Sequence, residues 1–433
     1  MRQIHIGNRV LKTWWLLALT AVLPQVAQST QPPQPLSLRA ASGVDPDRFR
    51  STVFASGLHF PYGMQQLEDG SLLVGTSRPL PSRGYFQSIG ELIRLRDRDG
   101  DGRADGVPEV LYSGLPGMVT AVRKSGALIF VTSAEPGRER ISIFRQRYPL
   151  GRPFELVGAM HFAFPAGWEH TSYALAVRRR GNVHEVFFNV GSSANDGQTS
   201  RTVPVSGLTH GALQGASLYR VVIQDLRSSL SVSAPERIAG GLRNAAGIAL
   251  DPGNGDLFFQ DNGIDDTVNR SDQRSADELN RLPREAIGGP VEFFGFPDNY
   301  VEYRTGAIVG GMGMQPVCAF QPLGSPPSES EGATDVAFAP RLFPAALRGG
   351  LFINFFGEYG KAGLANAENP VVFCDPATGR YMHLIGNDEP DVGHMSGLLG
   401  TLDSLFLSDL SHTGKLGQDG AVTGVIYQIK AMR

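Results

Sequence analysis

Cysteine, charge and long apolar runs are all scarce in this chain of 433 residues. Charged residues make up only 19% of it and the net charge is −3, which excludes the basic surface expected of a nucleic-acid binder. Helical periodicity is rare as well. The two cysteines, Cys318 and Cys374, exclude a disulfide-rich scaffold. They leave two alternatives: one disulfide in an oxidising compartment, or two separate buried thiols.

The N-terminal segment is apolar, but too short to anchor the protein in a membrane. Three basic residues precede the run from Trp14 to Leu23, which is shorter than the roughly 20 residues needed to cross a bilayer. A polar stretch follows, so the layout predicts a signal peptide over residues 1–27 and no stable membrane insertion after its cleavage. Residues 28–44 are then expected to form a flexible lead-in to a folded domain over residues 45–433. The mature protein is expected to be periplasmic or secreted.

Glycine and proline are abundant, with 53 and 29 copies that separate short Val, Ile, Leu and Phe runs. A Gly-containing turn, an apolar strand, a tight turn and a second apolar strand recur along the chain. The six copies occupy residues 57–77, 114–135, 170–193, 241–263, 331–358 and 396–414. This repetition predicts an all-β protein, a six-bladed β-propeller, whose chemistry lies at one mouth of the central tunnel.

An acidic loop, DRDGDGRAD at residues 97–105, follows the first repeat. Asp97, Asp99, Asp101 and Asp105 stand at positions one, three, five and nine around a central glycine, which is the spacing of a calcium loop. Position twelve, where such loops carry a bidentate Glu, is proline here. The alternatives are a structural Ca²⁺ site and a solvated acidic turn.

Two pairs of residues open the third and fourth repeats, where the chain enters the tunnel. His170 could act as a general base beside the carboxylate of Glu169, or it could be a packed residue at a strand end. Arg243 and Asn244 could stabilise a developing oxyanion, although an arginine there could equally form a loop ion pair.

The insertion that follows the fourth repeat is rich in oxygen ligands. The motif QDNGIDD at residues 260–266 spans the end of the repeat and the start of this insertion, which continues to Asp277 and Glu278. Carboxylates and loop carbonyls are the ligands that Ca²⁺ prefers, so a calcium site and an acidic loop are both open interpretations.

Several of these segments together resemble one family of enzymes. The motifs WEHTSYALAV, VFFNVGSSAND, GLRNAAGIALDPGNGDLFFQDNG, DELN and FFGFP, in this order, are similar to those of the soluble quinoprotein glucose/sorbosone dehydrogenases. The resemblance runs from about residue 54 to residue 429. It implies a six-bladed propeller that holds pyrroloquinoline quinone (PQQ) and Ca²⁺ at the tunnel mouth. The implied reaction is the oxidation of an aldose or a sorbosone-like sugar, with transfer of electrons to an external acceptor.

The resemblance also implies a role for individual residues. His170 would take the hydroxyl proton of the sugar, Glu169 would orient His170, and Arg243 would steady the charge on the quinone. The implied cofactor-binding residues are Arg243, Asn244 and Lys361. The implied calcium ligands are the carbonyls of Gly263 and Ile264 at the cofactor, and Asp277, Glu278 and the Phe294 carbonyl at a neighbouring site.

The chain departs from this family in the last repeat. Residues 387–399 contain none of the arginines that the family brings to the quinone carboxylates, and a glutamine of the second blade has no counterpart. Two other functions therefore stay open on the same fold. One is a calcium-dependent sugar-lactone hydrolase that uses Glu169, Asn195, Asn244 and Asp261. The other is a non-catalytic propeller that binds glycans or a protein partner through its loops.

Overall fold

The chain is built from β-strands wherever it is described. The computed structural model describes residues 32–147, 153–171, 174–197, 201–268, 273–311, 313–322, 331–357, 370–386, 389 and 392–432. These residues contain thirty strands, no α-helix, and short 3₁₀ helices at Pro46–Arg48, Arg284–Ala286, Ala345–Leu347 and Gln418–Gly420. No helix among them is long and apolar enough to cross a membrane. The all-β prediction is confirmed.

Six sheets form the blades of the propeller, numbered in the chain order of their innermost strands. Blade 1 comprises β2 (Met64–Gln66), β3 (Leu72–Pro79), β4 (Ser88–Leu95) and β5 (Glu109–Pro116). Blade 2 has six strands: β6 (Met118–Ser125), β7 (Leu128–Glu135), β8 (Arg138–Arg145), β9 (Glu155–Ala163), β12 (Thr202–Gly207) and β13 (Gly211–Gln214). Blade 3 comprises β10 (Leu175–Arg180), β11 (Val183–Val190), β14 (Ser217–Asp225), β15 (Leu230–Val232), β16 (Glu236–Gly240) and β20 (Glu292–Phe293).

The other three blades have four strands each. Blade 4 comprises β17 (Gly247–Leu250), β18 (Leu257–Asp261), β19 (Asp277–Leu282) and β23 (Cys318–Phe320). Blade 5 comprises β24 (Ala333–Phe338), β25 (Leu351–Phe355), β26 (Val371–Asp375) and β27 (Arg380–Ile385). Blade 6 comprises β28 (Met395–Gly400), β29 (Ser404–Asp409), β30 (Gly424–Ala431) and β1 (Phe49–Leu58). A separate hairpin pairs β21 (Tyr300–Val301) with β22 (Ile308–Val309).

The ring closes because the first strand completes the last blade. Strand β1 pairs with β30 in antiparallel register from Phe49 opposite Ala431 to Leu58 opposite Gly424. This pairing joins the two ends of the domain and leaves no unpaired sheet edge between the first and last blades. The six-bladed propeller predicted from the repeats is confirmed.

The innermost strands surround the tunnel, and an ion pair between a half-buried arginine and a buried aspartate crosses it. At one end they line an apolar cavity of about 300 Å³. Arg123 of blade 2 reaches Asp335 of blade 5, with 3.2 Å between Nη2 and Oδ1. The amide of Leu398 in blade 6 donates to the other carboxylate oxygen at 3.0 Å. Because blades 2 and 5 are opposite in a ring of six, this contact ties the two sides of the tunnel together.

A disulfide links blades 4 and 5. Cys318 on β23 and Cys374 on β26 are both buried and are bonded to each other. Of the two alternatives that the sequence left open, the structure therefore has the disulfide. Crosslinks of this kind contribute about 2–4 kcal/mol to stability in small proteins, chiefly by restricting the unfolded chain.

The described part of the predicted lead-in packs onto the propeller. Leu36 and Val44 are buried in an apolar cluster with residues of blades 5 and 6. The amide of Arg39 also donates to the carbonyl of Leu384 in blade 5 at 2.8 Å. Residues 1–31 lie outside the described part, so the signal peptide and the domain limits stay predictions.

Glu139 is a buried carboxyl group in the apolar layer between blades 2 and 3. It lies on β8, on the same face as Ile141 and Ile143, and pairs in register with Phe162. Its exposed fraction is 5%, and it has no hydrogen-bond or ion-pair partner among the described residues. Burial therefore raises its pKa well above the ordinary value of 4.5.

The Glu139→Gln variant should be more stable than the parent protein, by a margin that grows with pH. Below pH 4.5, Glu139 is protonated in both the folded and the unfolded state, so its burial carries no ionisation cost and the parent protein has its full stability. Stability is lost as the pH rises from there through the raised pKa, at up to about 1.4 kcal/mol per pH unit. Urea unfolding between pH 4 and pH 8 measures this margin. Glu155→Gln, at a solvent-exposed ion pair, is the control and should show no such trend. Parallel pH profiles for Glu139→Gln and the parent would contradict the assignment.

Candidate functional site

The first strand of blade 4 begins at one end of the tunnel, and this end is the mouth. The buried carboxylate of Asp261 organises the backbone there. Asp261 ends β18, and its two oxygens accept the amides of Arg243 at 2.9 Å and Asn244 at 2.6 Å. Blade 6 repeats the arrangement. There Asp409, at the end of β29, accepts the amides of Gly393 and His394. In both blades the aspartate fixes the backbone that leads into the innermost strand.

The Arg243 guanidinium is held from one side by a hydrogen-bonded cluster. Its Nη2 donates to Asn195 Oδ1 at 2.8 Å and to Asp265 Oδ2 at 2.9 Å, and its Nε donates to the Asn195 carbonyl at 3.1 Å. Asn195 is itself fixed, because its Oδ1 accepts the Asp265 amide and its Nδ2 donates to the Asp265 carbonyl. Nη1 makes no hydrogen bond with the described residues, so it is available for an anionic oxygen of a ligand.

His170 lies beside this cluster in the tautomer that a proton acceptor needs. Its Nδ1 is 2.8 Å from Ser192 Oγ and 3.1 Å from the Ser192 carbonyl. The Ser192 hydroxyl donates its own proton to the Ala194 carbonyl at 2.7 Å, so both Ser192 oxygens are acceptors. Nδ1 therefore carries the ring proton, and Nε2 keeps its lone pair.

The environment keeps His170 neutral. Burial, followed by the charge of Arg243, lowers its pKa to about 3. The pKa falls because the side chain is largely removed from water and faces a guanidinium. His170 is therefore unprotonated at physiological pH and can accept a proton, but it is a weak base.

Glu169 does not have the predicted orienting role. Its side chain is solvent-exposed, and its amide pairs with the carbonyl of Ser193 at 3.3 Å. Ser192 holds the His170 ring instead. The sequence signal for Ser192 was its place directly after the second strand of the third repeat, close to where Asp261 stands in the fourth.

Asn244 lies near His170 at the mouth. Its Nδ2 donates to Asn262 Oδ1 at 2.9 Å. A Cβ atom at Gly191 would lie 2.7 Å from His170 Cβ and 3.2 Å from Asn244 Oδ1, so only glycine fits between them. Lys361, the third predicted cofactor ligand, lies outside the described residues.

The predicted calcium ligands of the insertion separate into two groups. Asp277 has no spare acceptor position, because its carboxylate accepts the amides of Gly263 and Ala333 and the side chains of Asn262 and Gln273. Its predicted role as a ligand beside Glu278 is wrong for a simple reason. Neighbouring residues on a strand point to opposite faces of the sheet.

The two carbonyls predicted to bind Ca²⁺ also differ. The carbonyl of Ile264 accepts the amides of Arg274 at 2.7 Å and Ser275 at 3.3 Å, so hydrogen bonds already engage it. The Gly263 carbonyl accepts no hydrogen bond from the described residues. Gly263 thus fits the predicted role better than Ile264 does.

Glu278 faces Asp261 across a small buried cavity at the mouth. Arg243, Gly263, Ile264, Glu278, Asp261 and Phe294 contribute to its lining, and its volume is about 20 Å³, room for one water molecule or one ion. Burial and the neighbouring charge of Asp261 raise the pKa of Glu278 to about 8. Burial raises the pKa of Asp261 to about 7, against the effect of its two amide donors.

The acidic loop lies at the other end of blade 1. The loop follows β4, the third strand of its blade, whereas the residues of the mouth follow the second strands of their blades. Because successive antiparallel strands run in opposite directions, second and third strands end at opposite ends of the propeller. The carboxylates of Asp97, Asp99 and Asp105 have ligand atoms within 4.8 Å of one another. Asp101 is not part of this group, and its carboxylate accepts the Arg103 amide at 2.8 Å.

The same loop is attached to the strand that closes the ring. Thr52 on β1 donates its hydroxyl to the Gly102 carbonyl at 2.8 Å, and the Ala104 amide donates to the Phe54 carbonyl at 2.7 Å. Whatever stabilises this loop therefore also stabilises the contact between blades 1 and 6.

Comparison with known proteins shows which fold this is. No protein-family model and no curated protein matches the chain. The calcium structure of the carbohydrate-active enzyme family AA12 from Trichoderma reesei is similar at a TM-score of 0.56 and 16% identity, over 93% of this chain and 98% of its own. The holo form of the pyranose dehydrogenase PQQ domain from Coprinopsis cinerea gives the same score and identity, over 93% and 99%. The PQQ-bound aldose sugar dehydrogenase from Streptomyces coelicolor follows at 0.55 and 16%, over 89% and 99%. These likenesses establish the propeller fold.

Proposed function

We propose that the protein is a PQQ- and calcium-dependent oxidoreductase that oxidises an aldose or a sorbosone-like sugar. The observation that carries the proposal is the pairing at the mouth of a neutral His170, with its Nε2 lone pair, and Arg243, with its Nη1 unbonded. A proton acceptor and a fixed cation side by side suit the oxidation of an alcohol. The fold shared with PQQ-bound sugar dehydrogenases supports the choice of cofactor.

The residues at the mouth fit a quinone that carries anionic oxygens. Arg243 would bind such an oxygen through Nη1, and Asn244 would add an amide contact beside it. Gly191 leaves the space between His170 and Asn244 that a side chain would fill. PQQ bound there would supply the two-electron acceptor for the hydride of the sugar.

The cavity between Asp261 and Glu278 fits a calcium ion, as does the Asp97–Asp99–Asp105 group. Two carboxyl groups that face one buried cavity repel each other when both are ionised, and a divalent cation removes that repulsion. The Phe294 and Gly263 carbonyls could complete the shell at the mouth, because both residues line this cavity. Asp261 thus takes the place that the sequence gave to Asp277.

His170 would accept the hydroxyl proton of the sugar at Nε2 while Ser192 holds Nδ1–H. A base with a pKa of about 3 is too weak to remove the proton from the hydroxyl group of a sugar that has not yet begun to react. It becomes effective as the anomeric carbon is oxidised, because the hydroxyl then becomes strongly acidic. Arg243 would favour this step by stabilising the negative charge that develops next to it.

The two alternative functions have less support. A lactone hydrolase would need Glu169, Asn195, Asn244 and Asp261 around one metal ion. However, Glu169 is exposed, and Asn195 Oδ1 already accepts hydrogen bonds from Arg243 and Asp265. A propeller that only binds glycans or a partner gives no reason for a buried neutral histidine beside an arginine.

The predicted location and partners belong to the same proposal. The buried disulfide supports an oxidising compartment, and thus a periplasmic or secreted protein. An oxidoreductase of this kind needs an external electron acceptor to complete its cycle.

Turnover and cofactor binding should respond differently to changes in His170 and Arg243. With PQQ and Ca²⁺ added, His170→Ala should lower the rate of aldose-dependent dye reduction by about 10²- to 10⁴-fold, with little change in PQQ affinity. Arg243→Gln should lower both the turnover rate and the affinity for PQQ, because the guanidinium that it removes would contact the cofactor. His210→Ala, at an exposed position, is the matched control and should behave like the parent.

Three results would overturn the proposed function. Parent-like turnover of His170→Ala would show that His170 is not the base. Hydrolysis of a sugar lactone with Ca²⁺ alone would favour the hydrolase. Absence of both activities in the parent would favour a non-catalytic propeller.

Calcium should raise the melting temperature by about 2–5 °C at a concentration far above its Kd. Asp99→Asn should remove part of this rise, because it takes a ligand from the exposed loop, and Glu278→Gln should remove another part at the mouth. Asp101→Asn is the matched control, since it loses the same charge in the same loop without belonging to the clustered group. Identical melting with Ca²⁺ and with a chelator would contradict both calcium sites.

A further inference from the structure

A groove between blades 1 and 2 lies apart from the mouth. It has a volume of about 440 Å³, the size of a small-ligand pocket, and shares no lining residue with the mouth cavity. It exists because blade 2 has two strands more than blade 1, so that β12 and β13 extend past the edge of blade 1. The name "blade 1–2 groove" refers below to this space, lined by Pro116, Ser133, Arg138, Arg140, His161 and Ser206 among others.

Four polar side chains form a row across blade 2 inside this groove. Strand register places Ser133 of β7 opposite Arg140 of β8, Arg140 opposite His161 of β9, and His161 opposite Ser206 of β12. Residues opposite each other in antiparallel strands share a face, with Cβ atoms about 4.5–5.5 Å apart. The row therefore presents a guanidinium, an imidazole and two hydroxyl groups along one line.

Two donors of this row are buried without a partner. Ser133 is 1% exposed, and its Oγ has no hydrogen bond. The Nε of Arg140 is also buried and unbonded. Buried polar groups are normally hydrogen-bonded, so these two indicate a site where a ligand supplies the acceptor.

The charge of the groove is also uncompensated. Arg138 and Arg140 form no ion pair with the described residues, whereas Arg145 and Arg147, further along the same segment, pair with Asp225 and Glu155. Glu135 and Glu139 also line the groove, but Glu139 alternates with Arg138 and Arg140 along β8 and so points to the other face of the sheet. Two arginines and one glutamate therefore share the groove face, with a net charge of +1 when His161 is neutral. This balance suits a monoanion.

We propose that the blade 1–2 groove binds a small organic monocarboxylate with hydroxyl groups, such as a sugar acid. Arg140 provides the charged contact to the carboxylate, and Ser133, His161 and Ser206 hydrogen-bond to oxygen atoms along the row. A planar carboxylate matches the paired donors of a guanidinium. This site is independent of the proposed oxidoreductase function, and it would be present even if the mouth bound no quinone.

Isothermal titration of the full chain with D-gluconate tests the proposal, with D-glucose and inorganic phosphate as comparison ligands. Saturable gluconate binding is expected, without binding of glucose and with weaker binding of phosphate. Arg140→Gln should weaken gluconate binding by about tenfold or more. Arg147→Gln removes the same charge from an exposed, paired position in the same blade and should leave the affinity unchanged.

A second variant covers the case in which Arg140→Gln impairs folding. Ser206 is exposed at the end of the row, so Ser206→Asp should fold and should repel the carboxylate from the groove. Gluconate affinity unchanged in Ser206→Asp, or equal losses in Arg140→Gln and Arg147→Gln, would overturn the site. Binding of phosphate alone, or no gluconate binding at millimolar concentration, would overturn the choice of ligand.

Discussion

The candidate site depends on the two hydrogen bonds from the backbone of Arg243 and Asn244 to the buried carboxylate of Asp261. They fix the turn that enters β17 and thereby aim the Arg243 side chain at the cluster of Asn195 and Asp265. Both amides lie in the segment before β17, where no ladder partner is available, and a carboxylate satisfies two such donors at once. The same carboxylate faces Glu278 across the small cavity. Asp261 therefore both fixes the backbone of the mouth and contributes to its negative charge.

The rest of the site follows from this anchor. The carbonyl of Arg243 accepts the amide of Ser192 at 2.7 Å, which connects the entry of blade 4 to the segment that holds His170. Ser192 then sets the tautomer of His170, and the Arg243 charge helps to keep its ring neutral. Base and cation are therefore parts of one hydrogen-bonded unit that spans two blades, and a displacement of either would disturb the other.

Much of the fold could be predicted from local pattern, whereas the partners of the site residues could not. Six repeats of paired apolar strands predict six blades, and the openings of the third and fourth repeats correctly bring His170 and Arg243 together. The error at Asp277 has a physical origin: its four donors come from three separate segments, around residues 263, 273 and 333, and the last of these is 56 residues away. Strand alternation alone could have shown that Asp277 and Glu278 face apart. The polar row of blade 2 depends on the register of β12, which no local motif reveals.

The most direct measurement compares PQQ binding by Asp261→Asn and Asp409→Asn, with Ca²⁺ present and absorbance as the signal. Asparagine can accept only one of the two amides, because its NH₂ group faces the other donor. The account predicts micromolar binding by the parent, a loss of about tenfold or more in Asp261→Asn, and a change within about twofold in Asp409→Asn, the equivalent residue of blade 6. Parent-like affinity of Asp261→Asn, or an equal loss in both variants, would contradict the central place given to Asp261.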